Sequence, residues 1–179
     1  MRLPFFTPHD GGWETDMPLS EKEVLGALAA LEESACLLRG QWYAERHFRH
    51  KGRIDLVTTM DVKIQQTLGA ALGGVTPGVP LVAEEGNDGE PVFPERCWII
   101  DPIDGTTNFV HGIPLVGITA AFWEHDGPVF GMTACPMLNE TWWAVKGQGA
   151  FLNGRPVSGG EARGRRGGHR LPLRHQRDL

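Results

Sequence analysis

Cysteine is scarce in this chain: Cys36, Cys97 and Cys135 are far apart and odd in number. No CxxC pair occurs, which argues against a disulfide framework and against a structural zinc site. A reducing, cytoplasmic setting fits that usage. The N-terminus lacks a basic-then-apolar leader pattern. No apolar run is long enough to span a bilayer, and the longest, Ile113 to Trp123, reads as a buried strand. The chain is therefore expected to be soluble, with no membrane partner. Internal repeats are lacking. So is an excess of positive charge: the net charge is −5, and nothing global points to nucleic acid.

What is present is globular. The 179 residues are 41% hydrophobic and 22% charged, enough for one substantial domain with its own core. The charge is uneven. Residues 161–179 hold six of the 17 Lys and Arg and two of the 22 Asp and Glu. The first 160 residues thus carry 11 basic and 20 acidic side chains, a net −9. An acidic body suits a cation site without demanding one.

Residues 1–18 are irregular and read as an N-terminal extension. Ser20 and Glu23 have the spacing of a capping box. Val24, Leu28, Leu31, Ala35, Leu38 and Trp42 then recur at alternating steps of four and three, one apolar stripe on a long helix expected to end near His50. Ile54 to Thr58 reads as a short linker or strand. A second amphipathic helix carries Ile64, Leu68, Ala71 and Leu72 on one face, with Gly73-Gly74 and Pro77-Gly78 as its terminators. Leu81–Ala83 and Cys97–Ile100 read as short strands. Further strands are expected at Leu115–Trp123, Pro128–Cys135, Thr141–Val145 and Ala150–Leu152, and Asn153-Gly154 is a hairpin signal. The order is two helices followed by a mostly antiparallel meander.

The acids fall at element ends. Asp61 opens a helix, Glu84 and Asp101 each follow a short apolar strand, and Asp104 comes three residues later. Such carboxylates can converge on one sheet edge, where they repel one another unless a cation neutralises them. Hard oxygen ligands suit Mg²⁺, which keeps waters and phosphate oxygens in its shell. Pro102 biases Asp101 away from helix. Gly105-Thr106-Thr107-Asn108 would form a turn opening into a helix, with backbone amides available to an anion. Thr106 adds a hydroxyl that could orient or deprotonate a water. No Ser-His-Asp arrangement stands out, and no cysteine has a basic neighbourhood. His111, just past this segment, reads as structural or as part of a rim.

The string Trp98-Ile-Ile-Asp-Pro-Ile-Asp-Gly-Thr-Thr-Asn-Phe-Val-His-Gly-Ile-Pro114 resembles the metal-binding motif of the inositol monophosphatase family. Asp55-Leu-Val-Thr-Thr-Met-Asp61 resembles its helix-opening aspartate segment, Val82-Ala-Glu-Glu-Gly86 its paired glutamates, and Gly147-Gln-Gly-Ala-Phe-Leu-Asn-Gly154 its glycine-rich hairpin. The resemblance covers about residues 20 to 158. It implies an α+β fold, a layered α/β sandwich of the sugar-phosphatase type, of which residues 19–158 form the N-terminal half: two helices on a mostly antiparallel sheet. It implies a Mg²⁺-dependent, lithium-sensitive phosphomonoesterase. Glu84, Asp101 and the Ile103 carbonyl would hold one metal, and Asp101 with Asp104 a second; Glu84 would also touch a third. Asp61 and Thr106 would act on the attacking water. Asp104 and the amides of Gly105 and Thr106 would meet the phosphate, and Glu85 would support from behind. The partner is a small phosphorylated substrate, and the family forms homodimers.

The chain departs from the family in one respect. No segment here resembles W-D-x-A-A-G, so the second α/β half is expected to be missing, and residues 159–179 read as an atypical basic tail. Permitted codons for Gly168–Leu179, shifted by one base, read ATGFPYD, which resembles the family's next segment. The chain is therefore expected to be truncated or frameshifted after about residue 158, with little activity alone. A non-catalytic remnant or interaction module is the competing reading. Histidinol phosphate, fructose 1,6-bisphosphate and adenosine 3′,5′-bisphosphate are alternative substrates within the superfamily. The Arg-rich tail has no aromatic or motif partner to support nucleic-acid binding.

Overall fold

A computed structural model describes residues 18–43, 48–50, 56–83, 94–125 and 127–157. Helix α1 (Glu21–Gly40) is followed by a small antiparallel pair, β1 (Phe48–His50) and β2 (Leu56–Thr58). Helix α2 (Thr59–Val75) starts directly from β2. Then come β3 (Leu81–Ala83), β4 (Arg96–Asp104), the short α3 (Thr106–Val110), β5 (Gly117–Glu124), β6 (Gly127–Cys135), β7 (Glu140–Val145), β8 (Gly149–Leu152) and β9 (Arg155–Val157). A 3₁₀ turn at Pro136–Leu138 links β6 to β7. The seven strands β3 to β9 form one sheet in sequence order, antiparallel except for the parallel pair β3–β4. This is the expected architecture of two helices on a mostly antiparallel sheet.

Alternation along the strands assigns the faces. Trp98 and Ile100 of β4, Ile118, Ala120 and Phe122 of β5, Phe130, Met132 and Ala134 of β6, and Trp143 and Val145 of β7 are buried. They meet the α1 stripe and Ile64, Leu68 and Leu72 of α2 in one core. Helix α2 lies against β4, and α1 against β6 and β5. Trp98 stands edge-on to Phe122, with ring centres 5.0 Å apart, and its indole N–H donates to the buried Thr76 hydroxyl at 2.8 Å. That bond satisfies a polar group that would otherwise be costly to bury. Among the described residues, no helix is long and apolar enough to cross a membrane.

Several boundaries differ from expectation. Helix α1 ends at Gly40, not near His50; Trp42 leaves the helix, stays buried, and packs edge-on against Phe109 at 5.7 Å. Helix α2 runs through Gly73-Gly74, which face solvent, and stops where Thr76 caps it on the Leu72 carbonyl. Strand β5 begins at Gly117, and Ile113 and Leu115 are exposed rather than buried. Strand β4 does not stop at Ile100 but continues through the acids to Asp104. Asn153 and Gly154 both take positive φ, as a primed hairpin turn requires, and β9 is the strand that turn delivers.

Candidate active site

Asp61 is built into the start of α2. Thr58 is the N-cap, and its hydroxyl accepts from the backbone N–H groups of Met60 and Asp61 at 3.1 and 3.3 Å. The Asp61 carboxylate answers: its Oδ2 accepts from the Thr58 backbone N–H at 2.7 Å and from the Thr58 hydroxyl. This is a capping box with Asp at the third helical position. Its other oxygen, Oδ1, meets the Thr106 hydroxyl at 3.3 Å, across 45 residues of sequence. Asp61 is only 1% exposed. Burial pushes its carboxyl above the ordinary aspartate range, and the hydrogen bonds from Thr58 and Thr106 pull the other way.

The two acids of β4 are set by a bulge. Asp101 pairs with Thr119 and Asp104 with Gly117, so three steps on β4 oppose two on β5. The extra residue falls between them, in the Pro102-Ile103 step, where Pro102 has no N–H to give to the ladder. Plain alternation would put Asp101 and Asp104 on opposite faces. The bulge breaks the alternation, with Pro102 and Ile103 buried in succession. The partners Thr119 and Gly117 are two apart and share a face, so the two acids stand side by side on it.

Gly105 then turns the chain into α3 with φ of +90°. A side chain there would be strained, and its Cβ would lie 3.0 Å from the Leu115 carbonyl oxygen. The same carbonyl accepts from the Asn108 side-chain amide at 2.8 Å, and the Asn108 carbonyl accepts from the Ile113 N–H at 2.8 Å. These bonds close the excursion from β4 to β5 and hold Thr106 in place. The Thr106 hydroxyl lies 2.9 Å from the Ile103 carbonyl as well as near Asp61. His111 bonds locally, its Nδ1 2.8 Å from the Thr107 carbonyl, in keeping with a structural reading.

Asp101, Asp104 and the Ile103 carbonyl are all hard oxygen donors, so the set fits Mg²⁺ in kind. Among the described residues, no three His, Cys, Asp or Glu side chains form a cation cluster by themselves. Glu84 and Glu85 lie outside the described residues. The strand that precedes them in sequence, β3, ends at Ala83 opposite Ile100. The basic tail also lies outside them.

Sequence reasoning did not single out Thr58, Asn108 or Cys135. The Thr58-x-x-Asp61 spacing was a usable signal, identical in kind to Ser20-x-x-Glu23. Asn108 had none, because its partner is known only once the loop closes. Cys135 is half-buried, and its thiol is pushed up by burial and by the negative charges of Glu140 and Asp104. The register puts it at the same sheet end as Asp104, which pairs with Gly117, while Ala134 before Cys135 pairs with Ile118.

Comparison with known proteins agrees with this fold. An inositol monophosphatase 2 of Solanum lycopersicum is 34% identical over 141 residues, covering 76% of this chain and 53% of that protein. The solved inositol monophosphatase of Thermotoga maritima superposes with a TM-score of 0.70 at 35% identity, covering 78% of this chain and 54% of that one. An inositol monophosphatase/NADP phosphatase solved with Mg²⁺ and phosphate has a TM-score of 0.65 at 27% identity, covering 75% and 52%. The chain spans about half the length of the curated relatives it matches. The model of the inositol monophosphatase family matches residues 21–178, a range that runs into the Arg-rich segment. With the helix-capping aspartate, the bulged acid pair and the Gly-Thr turn all in that range, the chain belongs to the inositol monophosphatase family.

Proposed function

We propose that this chain provides the water-activating and metal-holding part of a Mg²⁺-dependent phosphomonoesterase for inositol monophosphate or a related small sugar phosphate. The observation that carries the reading is the meeting of Asp61 Oδ1 with the hydroxyl of Thr106, a residue that also bonds the Ile103 carbonyl and follows the Asp101–Asp104 strand end by one turn. The relative solved with Mg²⁺ and phosphate supports it. A cytoplasmic setting and a homodimer belong to the same reading.

Glu84, Asp101, Asp104 and the Ile103 carbonyl would hold Mg²⁺, with Glu85 in support. Bound there, the ion would acidify a water and offset the charge on a phosphate. The chain's own residues do the rest. A water at Thr106 can donate to the hydroxyl oxygen when that hydroxyl turns its single proton from the Ile103 carbonyl to Asp61, so the proton moves toward a carboxylate. Burial makes ionised Asp61 a stronger base than an exposed aspartate. The amides of Gly105 and Thr106 sit where α3 begins, and would receive phosphate oxygens. Asp104 borders the same turn.

Titration calorimetry tests the reading. Mg²⁺ should bind the chain, bind more tightly with inorganic phosphate present, and lose both effects in Asp101→Asn. Absence of any phosphate-coupled Mg²⁺ binding would leave the non-catalytic module as the better account. Phosphate release from inositol 1-phosphate, histidinol phosphate and fructose 1,6-bisphosphate, with and without Li⁺, then identifies the substrate.

A further inference from the structure

We infer that Thr58 is a positioning residue for Asp61: it saturates Oδ2 from two sides and so leaves Oδ1 turned toward Thr106. This rests on the proposed pairing of Asp61 with Thr106 and deepens it. Both residues are buried, Thr58 at 3% and Asp61 at 1% exposure, so water does not compete for these bonds. The wiring is reciprocal. The Thr58 hydroxyl accepts from the helix amides and donates to Asp61 Oδ2, while the Thr58 backbone N–H donates to that same oxygen. A carboxylate with one oxygen held by two donors has little freedom about its side-chain torsions. Asp is one methylene shorter than the Glu usual in such a box, which tightens the constraint. Thr58 also closes β2, pairing with Phe48 of β1, and β2 contacts α3 as well as α2. The residue that orients Asp61 is thereby tied to the elements that hold Asp61 and Thr106.

The test compares Thr58→Ser, Thr58→Gly and Thr58→Val. Serine keeps the cap and the donor. Glycine keeps most of the cap's contribution to helix stability but has no hydroxyl. Valine keeps the shape and loses both. The first readout is the Asp61 χ1 rotamer, from three-bond couplings measured by NMR on the full chain. We expect one rotamer in wild type and Thr58→Ser, and averaging in Thr58→Gly and Thr58→Val. The second is turnover of a phosphate monoester: kcat should fall by about tenfold to a hundredfold in the glycine and valine variants, with KM little changed. A single wild-type rotamer in Thr58→Gly or Thr58→Val overturns the inference, as does a serine variant that behaves like valine. Asp61→Asn is the control for the underlying reading. If wild type shows measurable turnover and Asp61→Asn equals it, the Asp61–Thr106 base is wrong, while the rotamer result, which needs no turnover, still decides what Thr58 does.

Discussion

Two helices of this chain begin with the same device in different surroundings. At α1, Ser20 caps the helix and Glu23 returns the bond, its Oε2 accepting from the Ser20 backbone N–H at 2.7 Å and from its hydroxyl at 2.6 Å. At α2, Thr58 and Asp61 repeat the pattern atom for atom. The first box is at the surface and the second is in the interior. The carboxyls respond in opposite directions. Hydrogen bonds from Ser20 hold Glu23 below the ordinary glutamate range, whereas burial lifts Asp61 above the aspartate range. A local motif thus fixes where a carboxylate sits, and solvent access decides whether it is a stable anion or a base. Asp61 alone of the two meets a hydroxyl from a distant segment, Thr106.

The largest expected contrast is in turnover. Asp61→Asn should lower kcat about a hundredfold or more, the usual contribution of a positioned base, while Glu23→Gln leaves it unchanged. Equal effects from both would erase the distinction. Next comes Gly105→Ala, which leaves the α2 cap intact but forces a side chain into positive φ against the Leu115 carbonyl. It should cost about 1–3 kcal/mol in chemical denaturation and cut phosphate-coupled Mg²⁺ binding, because the turn carrying Thr106 must shift. Ser20→Ala should cost about 1 kcal/mol of stability with no change in phosphate binding. The smallest effect is in pH. Glu23, with its lowered folded-state pKa, contributes stability above its unfolded pKa and loses it as pH falls, so the melting difference between wild type and Glu23→Gln should shrink in acid. Asp61 runs the other way. Its burial penalises the ionised form above the raised pKa, so wild type should gain on Asp61→Asn as pH falls through it.

What could be read in advance follows from reach along the chain. The α1 stripe from Val24 to Leu38, the Ser20–Glu23 box and the Asn153-Gly154 turn are set by neighbours a few residues apart and formed as expected, whereas Trp42, expected on the same helix, lies beyond its end. The acid motif was legible as a string, and its resemblance identified the family. Its geometry was not, because the bulge between Asp101 and Asp104 depends on what β5 offers opposite. The end of α2 was misjudged for a similar reason. Gly73 and Gly74 are poor helix formers, but they lie on the solvent side, and Thr76 secures the end through Leu72 and Trp98. The pairing of Asp61 with Thr106 needed the fold itself.

The strand order has a consequence for synthesis. From β4 to β9 every strand pairs with its successor, so the sheet can zip up hairpin by hairpin as it leaves the ribosome. Helix α1 has no such advantage. It is complete at Gly40, yet the strands it packs on, β5 and β6, begin at Gly117 and Gly127. The stripe can meet α2 once Val75 is made, but its side facing β5 and β6 stays uncovered until those strands follow, an interval in which a nascent chain is open to chaperones and to aggregation.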